Sequence, residues 1–272
     1  MKRVLTTVIG LPIVIAFFVL SNQYIIDVLF AILLILAMHE YFGCIKNGVK
    51  PVQWIGYLMA VFVAFLHIIP FNIMKNIAIM AIPTILTILY LQIIITNMKY
   101  SFEDISLTFT GVLYLFGFTI FMPILYGMKG NSPTENGKIL IWYIFLASWG
   151  SDVFAYLIGR HGTHKFSKVS PNKTIEGCVA GVVAAVILSI IYTIIIQKVM
   201  NITLLPLSLT GAIAAILSVL GQIGDFAASS IKRNFKVKDF SNLIPGHGGI
   251  IDRIDSVIFM APFAYFLFIV LF

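Results

Sequence analysis

The sequence predicts an all-α fold: a polytopic integral membrane protein of about nine transmembrane helices, its N-terminus cytoplasmic and its C-terminus outside. Three observations carry that expectation. Only 11% of the 272 residues are charged, where a soluble domain has roughly a quarter, while 60% are hydrophobic and mean hydropathy is +1.02. The length accommodates about nine apolar stretches of ~20 residues, each long enough to cross the hydrocarbon core. Lysines and arginines fall in alternate loops once those stretches are laid out.

The first stretch, 4–21, follows Lys2 and Arg3 and imitates a signal peptide. Its apolar run is long and no small-x-small cleavage site follows, so it reads as the first span. Further spans are expected at 24–43, 54–70, 76–96, 105–127, 138–159, 174–198, 206–233 and 250–271. The N-terminus and the loops after spans 2, 4, 6 and 8 then share one side. That side carries Lys2, Arg3, Lys46, Lys50, Lys99, Arg160, Lys165, Lys168, Lys173, Lys232, Arg233, Lys236, Lys238 and Arg253. The other carries only Lys75, Lys129, Lys138 and Lys198. Fourteen against four assigns the first side to the cytoplasm. No repeat or linker divides the chain. Residues 1–70, 71–160 and 161–272 are convenient N-terminal, middle and C-terminal thirds of one integrated membrane domain. Cys44 and Cys178 suggest neither a metal spacing nor a disulfide framework and read as buried apolar filler. The net charge of +7 follows from the loop asymmetry and does not suggest nucleic acid.

Acidic residues are few enough to locate the chemistry. Of the eleven, Glu103, Asp104 and Glu135 are expected in solvated loops. Asp27 and Glu40 lie near the ends of span 2, where terminal or capping roles are expected. The other six, Asp152, Glu176, Asp225, Asp239, Asp252 and Asp255, lie in or beside the loops after spans 6 and 8. The polar chemistry is thereby expected on one membrane face, in the C-terminal half.

Residues 229–255 read SSIKRNFKVKDFSNLIPGHGGIIDRID, the densest run of charge in the chain. Carboxylates at a membrane edge beside several cations suggest a divalent metal and a polyphosphate, because each charge needs a partner there. Asp252 and Asp255 are spaced i, i+3 on the last helix and would repel each other without a cation. Mg2+ suits them, since it takes oxygen ligands and needs only one or two carboxylates besides waters and substrate phosphates. Asp225 is a third candidate ligand. Ser229 and Lys232 follow it at i+4 and i+7, which makes a stripe from a carboxylate to a surface cation. The alternative is a structural ion-pair network between spans 8 and 9, for example Asp225 with Arg253. Lys232 and Arg233 suit phosphate binding, while Lys236 needs no reason beyond topology. Gly246, Gly248 and Gly249 surround His247 and let backbone approach a ligand. His247 is expected to donate a hydrogen bond or order the loop. An ionised phosphate nucleophile requires no base.

Residues 148–177, SWGSDVFAYLIGRHGTHKFSKVSPNKTIEG, form a second polar segment. Asp152, Tyr156 and Gly159 share a helical face. Ser170-Pro171 signals a turn, a helix is expected to begin near Thr174, and Glu176 favours its first turn. Lys173 beside that helix start makes an anion site. An ordinary capped loop is the plain alternative. His161 and His164 lack the further ligands that zinc would need.

Both segments resemble the phosphatidate cytidylyltransferase, or CDP-diacylglycerol synthase, family. Ser229, Ile231, Lys232, Arg233, Lys238, Asp239, Ser241, Ile244, Pro245, His247, Gly248, Gly249, Ile250, Asp252, Arg253, Ile254 and Asp255 stand where that family's signature requires them. The earlier segment is similar to the family's D-x3-Y-x2-G-R and S-P-x-K-T-x-E-G patterns. The resemblance is specific over 148–260, whereas residues 1–140 match in hydropathy and length only.

The resemblance implies transfer of a cytidylyl group from CTP to phosphatidic acid at the cytoplasmic face of a bacterial inner membrane. It implies catalysis by Asp225, Lys232, Asp252 and Asp255. Asp225, Asp252 and Asp255 would hold Mg2+, with a monovalent cation such as K+ as a further candidate. It implies substrate binding by Asp152, Arg160, Ser170, Lys173, Thr174, Glu176, Ser229, Arg233, Lys238, Asp239, His247, Gly248, Gly249 and Arg253, and a homodimer. Two competing readings are a CTP-dependent lipid-alcohol kinase, which would share the metal and the CTP pocket, and a transporter of a phosphorylated solute. The latter would need broken helices and midplane charges in matching halves. A CDP-alcohol phosphatidyltransferase would need a D-G-x2-A-R motif that the sequence lacks.

Overall fold

The computed structural model describes residues 12, 14–46, 48–129, 136–243 and 248–271. Among them the fold is helical, with one isolated antiparallel bridge between Lys165 and Thr174. The helices are α1 (Gln23–Ile45), α2 (Gln53–Val63), α3 (Phe71–Ile95), α4 (Phe102–Thr119), α5 (Phe121–Tyr126), α6 (Gly137–Gly159), α7 (Ile175–Met200), α8 (Leu207–Asn234) and α9 (Ile251–Leu271). Residues 14–20 are helical as well, while half of the expected first span lies outside the described residues. Among the described residues, six segments are long and apolar enough to cross a membrane: α1, Phe102–Tyr126, α6, α7, α8 and α9. The protein is an all-α polytopic membrane protein.

Local sequence sets the helix ends. Asn22 accepts from the Ile25 amide at 3.0 Å, Thr174 from the Gly177 amide at 3.2 Å, and Asn201 closes α7 with φ 52°. Two expected spans are interrupted. The expected span 54–70 is helical only to Val63 and then proceeds in turns to Pro70. The expected span 105–127 breaks after Thr119, where Pro123 has no N–H to continue the ladder. Asp104, expected in solvent, is instead 7% exposed. It forms a capping box with Ser101 and accepts from the Lys50 amide at 2.7 Å, fixing the α1–α2 connection. Sequence spacing hid this, because Ser101 and Asp104 cap a helix that starts earlier than the apolar run.

The chain forms two compact units. The first comprises residues 1–123 and 234–253. In it α1 packs on α2 and α4, and α3 packs on α4. Ile26, Leu34, Met38, Phe42 and Leu115 fill its interior. Buried Asp27 pairs with His67 Nδ1 at 2.8 Å, and Gln23 donates to the Pro123 carbonyl at 2.9 Å.

The second unit comprises residues 124–233 and 254–272, and α6 against α7 is its main seam. Gly177, Gly181 and Ala185 recur every four residues on α7, the small-xxx-small pattern that lets helices approach without a water-driven force. A Cβ on Gly177 would lie 2.8 Å from the Ala155 carbonyl oxygen and 2.9 Å from Gly159 Cα. On α8, a Cβ on Gly224 would lie 2.6 Å from the Asp255 carbonyl oxygen of α9. Polar links lie along these seams: Tyr143 with Thr193 at 2.7 Å, Tyr192 to the Ile139 carbonyl at 2.8 Å, and Ser148 with Ser256 at 2.9 Å.

Gly177→Ala should therefore lower the melting temperature in detergent by several degrees, since overpacking against backbone costs about 1–3 kcal/mol. Gly211→Ala meets only ordinary contacts at 3.4 and 3.7 Å and should be neutral or gain the ~0.5–1 kcal/mol of helix propensity. Thermal-unfolding curves of both variants decide this, and equal melting temperatures would remove the seam from the account.

Candidate active site

In the second unit, four residues expected from sequence, Asp152, Lys173, Thr174 and Asp225, meet at one cavity of about 240 Å3. Ser151, Asp152 and Tyr156 come from the C-terminal half of α6, Asn172 and Lys173 from the following loop, and Gln222 and Asp225 from α8. Thr174, Gly177 and Cys178 at the start of α7 complete the wall. The glycine seam permits this, because it brings the end of α6 against the beginning of α7.

Lys173 and Asp225 form an ion pair through Nζ and Oδ2. The ammonium also sits 4.2 Å from the centroid of the Phe226 ring, which Phe166 contacts edge-on at 5.4 Å. Gln222 donates to Ser151 Oγ at 3.2 Å and to the Cys178 carbonyl at 3.0 Å, bracing α8 against α6 and α7. Asp255 on α9 is 7% exposed, accepts from the Ser256 amide at 2.8 Å, and lies within electrostatic range of Asp225, Lys232 and Asp152. Ser229 and Lys232 are both buried, and Ser230 and Arg233 are exposed, so the expected stripe of α8 faces inward. The result is a cavity with carboxylates on two walls and an ammonium between them. It suits a ligand that brings phosphate oxygens together with a hard cation.

Other predicted residues of this unit stand around the cavity. Thr174 caps α7 and donates to the Gly159 carbonyl at 3.3 Å. Glu176 orders the loop, pairing with His164 Nδ1 at 2.6 Å and accepting from the amides of Thr163 and His164 at 3.2 Å each. Arg160 follows α6 as its exposed C-cap. The Ser170 carbonyl accepts from the Lys173 amide at 3.1 Å, the turn expected at Ser170-Pro171. Arg233 Nε donates to the Val169 carbonyl at 3.5 Å. Cys178, expected as filler, is half-buried on the cavity wall, whereas Cys44 is buried as expected.

The first unit holds the rest of the signature. Lys238 and Asp239 are exposed, and Asp252 Oδ2 accepts from the amides of Phe240 and Gly249 at 3.0 Å each. Gly248 has φ +80°, a conformation open to glycine. The Arg253 amide donates to the Ile250 carbonyl at 2.9 Å as α9 begins. His247 lies outside the described residues. Glu40, expected to serve its own helix, instead accepts from Ser241 Oγ at 2.6 Å, the Ile250 amide at 2.8 Å and the Ile251 amide at 2.9 Å. Glu40 and Gln222 are the polar groups that sequence reasoning missed. A readable signal existed for Gln222, which precedes Asp225 by three positions in an apolar helix. Among the described residues, no group of three or more His, Cys, Asp or Glu is arranged to hold a metal ion.

The chain matches the cytidylyltransferase family over residues 1–271. It is 32% identical to a phosphatidate cytidylyltransferase of Staphylococcus haemolyticus, over 96% of this chain and 95% of that one. It is 30% identical to the Staphylococcus aureus enzyme of the same name over 96% and 95%, and 32% identical to that of Bacillus subtilis over 69% and 66%.

A phosphate-bearing ligand entering the cavity would meet Lys173 at its wall. Lys173→Ala should weaken binding of Mg-diphosphate by roughly tenfold or more, as expected for one lost charge-assisted bond. Lys168→Ala, on the exposed part of the loop, should change it less than about twofold. Titration calorimetry measures both, and equal affinities would separate the cavity from phosphate.

Proposed function

Because the chain belongs to the cytidylyltransferase family, we propose that it converts CTP and phosphatidic acid to CDP-diacylglycerol and diphosphate. The observation that carries this reading is the near-full-length similarity to phosphatidate cytidylyltransferases. The signature residues and the cavity at Lys173 and Asp225 support it.

In the reaction, a phosphate oxygen of phosphatidic acid attacks the α-phosphorus of CTP. A new P–O–P bond forms, the bond from the α-phosphorus to the oxygen bridging to the β-phosphate breaks, and diphosphate leaves with the electron pair. Such a transfer requires in-line positioning and neutralisation of phosphate charge. At about 240 Å3 the cavity is below the ~300 Å3 of sites that enclose whole small molecules, so it takes part of the nucleotide. Lys173 at its wall suits the phosphate chain, and Lys232 and Arg233 suit the remaining phosphate oxygens. Arg160, Ser170, Thr174, Glu176 and Asp152 shape or line this side. Ser229, Lys238, Asp239, Gly248, Gly249, His247 and Arg253 are assigned to substrate through the signature.

Mg2+ fits the residues present. Asp255 brings a buried carboxylate toward the half-buried Asp225, and the hard oxygen set matches that ion's preference. Mg2+ does not need a cage of three protein ligands, because phosphates and waters complete its shell. Asp225, Asp252 and Asp255 are the residues that would hold it, with K+ as a second candidate cation. When bound, it would offset charge on the phosphates and on the leaving diphosphate.

The finer architecture follows from the same reading. Nine spans, a cytoplasmic N-terminus, an outer C-terminus and a homodimer in a bacterial inner membrane are inferred. The fourteen-to-four distribution of basic residues supports the sidedness. CTP is cytosolic and the lipid phosphate sits at the headgroup plane, so the acyl chains stay in the bilayer.

Purified protein given CTP and phosphatidic acid should form CDP-diacylglycerol only with Mg2+; folded protein without product would end this reading. Asp252→Asn and Asp255→Asn should each lower the rate by about 100-fold or more while the protein still folds, and near-normal rates at ordinary Mg2+ would remove the metal assignment. A cysteine at Asn242 should resist an impermeant thiol reagent in intact cells and react once the membrane is opened. A tag after Phe272 should behave oppositely, and labelling of position 242 from outside would invert the topology.

A further inference from the structure

Glu40 is a carboxylate buried in an apolar helix that none of the chemistry above uses. It lies on α1, is 3% exposed, and does not cap its own helix. Its partners all belong to the signature loop: Oε1 accepts from Ser241 Oγ and the Ile250 amide, and Oε2 from the Ile251 amide. Ile251 is the first residue of α9, so a distant carboxylate caps the helix that carries Asp252 and Asp255. An N-terminal helix end has orphan N–H groups and favours negative charge. Here α1 supplies both the acceptors and the charge that a local cap would provide. The loop is shaped to allow it, since a Cβ on Gly249 would come 2.5 Å from Glu40 Oε2. The same glycine amide donates to Asp252 Oδ2, so the seat of Glu40 and the orientation of Asp252 share one residue.

We propose that Glu40 is a positioning residue for cytidylyl transfer, fixing the Gly249–Ile251 turn and with it the start of the helix that presents Asp252 and Asp255. The proposal rests on the function assigned above. An isosteric amide cannot replace the carboxylate. Three donors converge on its two oxygens, and a Gln NH2 group would face one of them donor to donor. Asp27 supplies the control. It is another buried carboxylate of α1, but its partners are His67 and Gln23, away from the loop.

The test compares Glu40→Gln with Asp27→Asn in the full-length protein. Hydrogen exchange of the 248–254 segment should rise at least tenfold in Glu40→Gln and stay unchanged in Asp27→Asn. In the transfer assay, Glu40→Gln should lower kcat at least tenfold and raise the Mg2+ concentration for half-maximal rate several-fold, with KM for CTP within about twofold. Wild-type exchange and wild-type Mg2+ dependence in Glu40→Gln would overturn the proposal, as would a loss of activity that only follows the folded fraction. Should Glu40→Gln not fold, Ser241→Ala removes one donor and should shift Mg2+ dependence in the same direction by two- to threefold; no shift there overturns the proposal too. A wild-type protein without transferase activity would instead remove the assigned function. The exchange result would stand apart from it.

Discussion

Taking an ionised group below a membrane surface is costly unless the chain itself supplies partners, and that penalty decides where the segments of this protein meet. Asp27 meets His67, Asp104 meets the amide of Lys50, Glu40 meets the signature loop, and Asp225 meets Lys173. Each contact joins residues far apart in the chain. Charge satisfaction and tertiary structure are in this sense the same event. The apolar majority fills space; these few pairings choose which surfaces face each other.

Small residues make the pairings reachable. Without a hydrophobic drive between helices in lipid, close approach must come from the absence of side chains. Gly177 and Gly181 bring α6 onto α7, which sets Asp152 and Lys173 in the lining of one cavity. Gly249 does the same for a carboxylate and a turn. The bulk that is missing at these positions is as much a part of the site as the charges.

Much of this was legible in the sequence. Hydropathy located the helices because a membrane span must satisfy its own backbone, so an apolar run of sufficient length has few alternatives. It overreached past Val63, where the helix gives way to turns before Pro70; at Pro123 a missing N–H interrupts the helix, yet Phe102–Tyr126 is still long and apolar enough to cross. Asp152, Lys173 and Asp225 were singled out by motif, and the structure gathers them, although no spacing rule relates position 152 to position 225. Glu40 and Asp104 were misread for different reasons. Asp104 was placed in a solvated loop because the helix it caps begins before the apolar run. Glu40 was judged by its own helix, whereas its partners lie on another segment, and a carboxylate near a helix end looks like a local cap until the fold shows whose end it serves.

The bond from Ile251 to Glu40 spans 211 positions, and its donor opens α9. Every residue lining the polar cavity is synthesised earlier, by position 225. A chain that stops short of residue 250 therefore holds every residue of that cavity but neither amide that answers Glu40. The two units thus come due at different times: the polar cavity of the second can be complete while a carboxylate inside the first still awaits its partners.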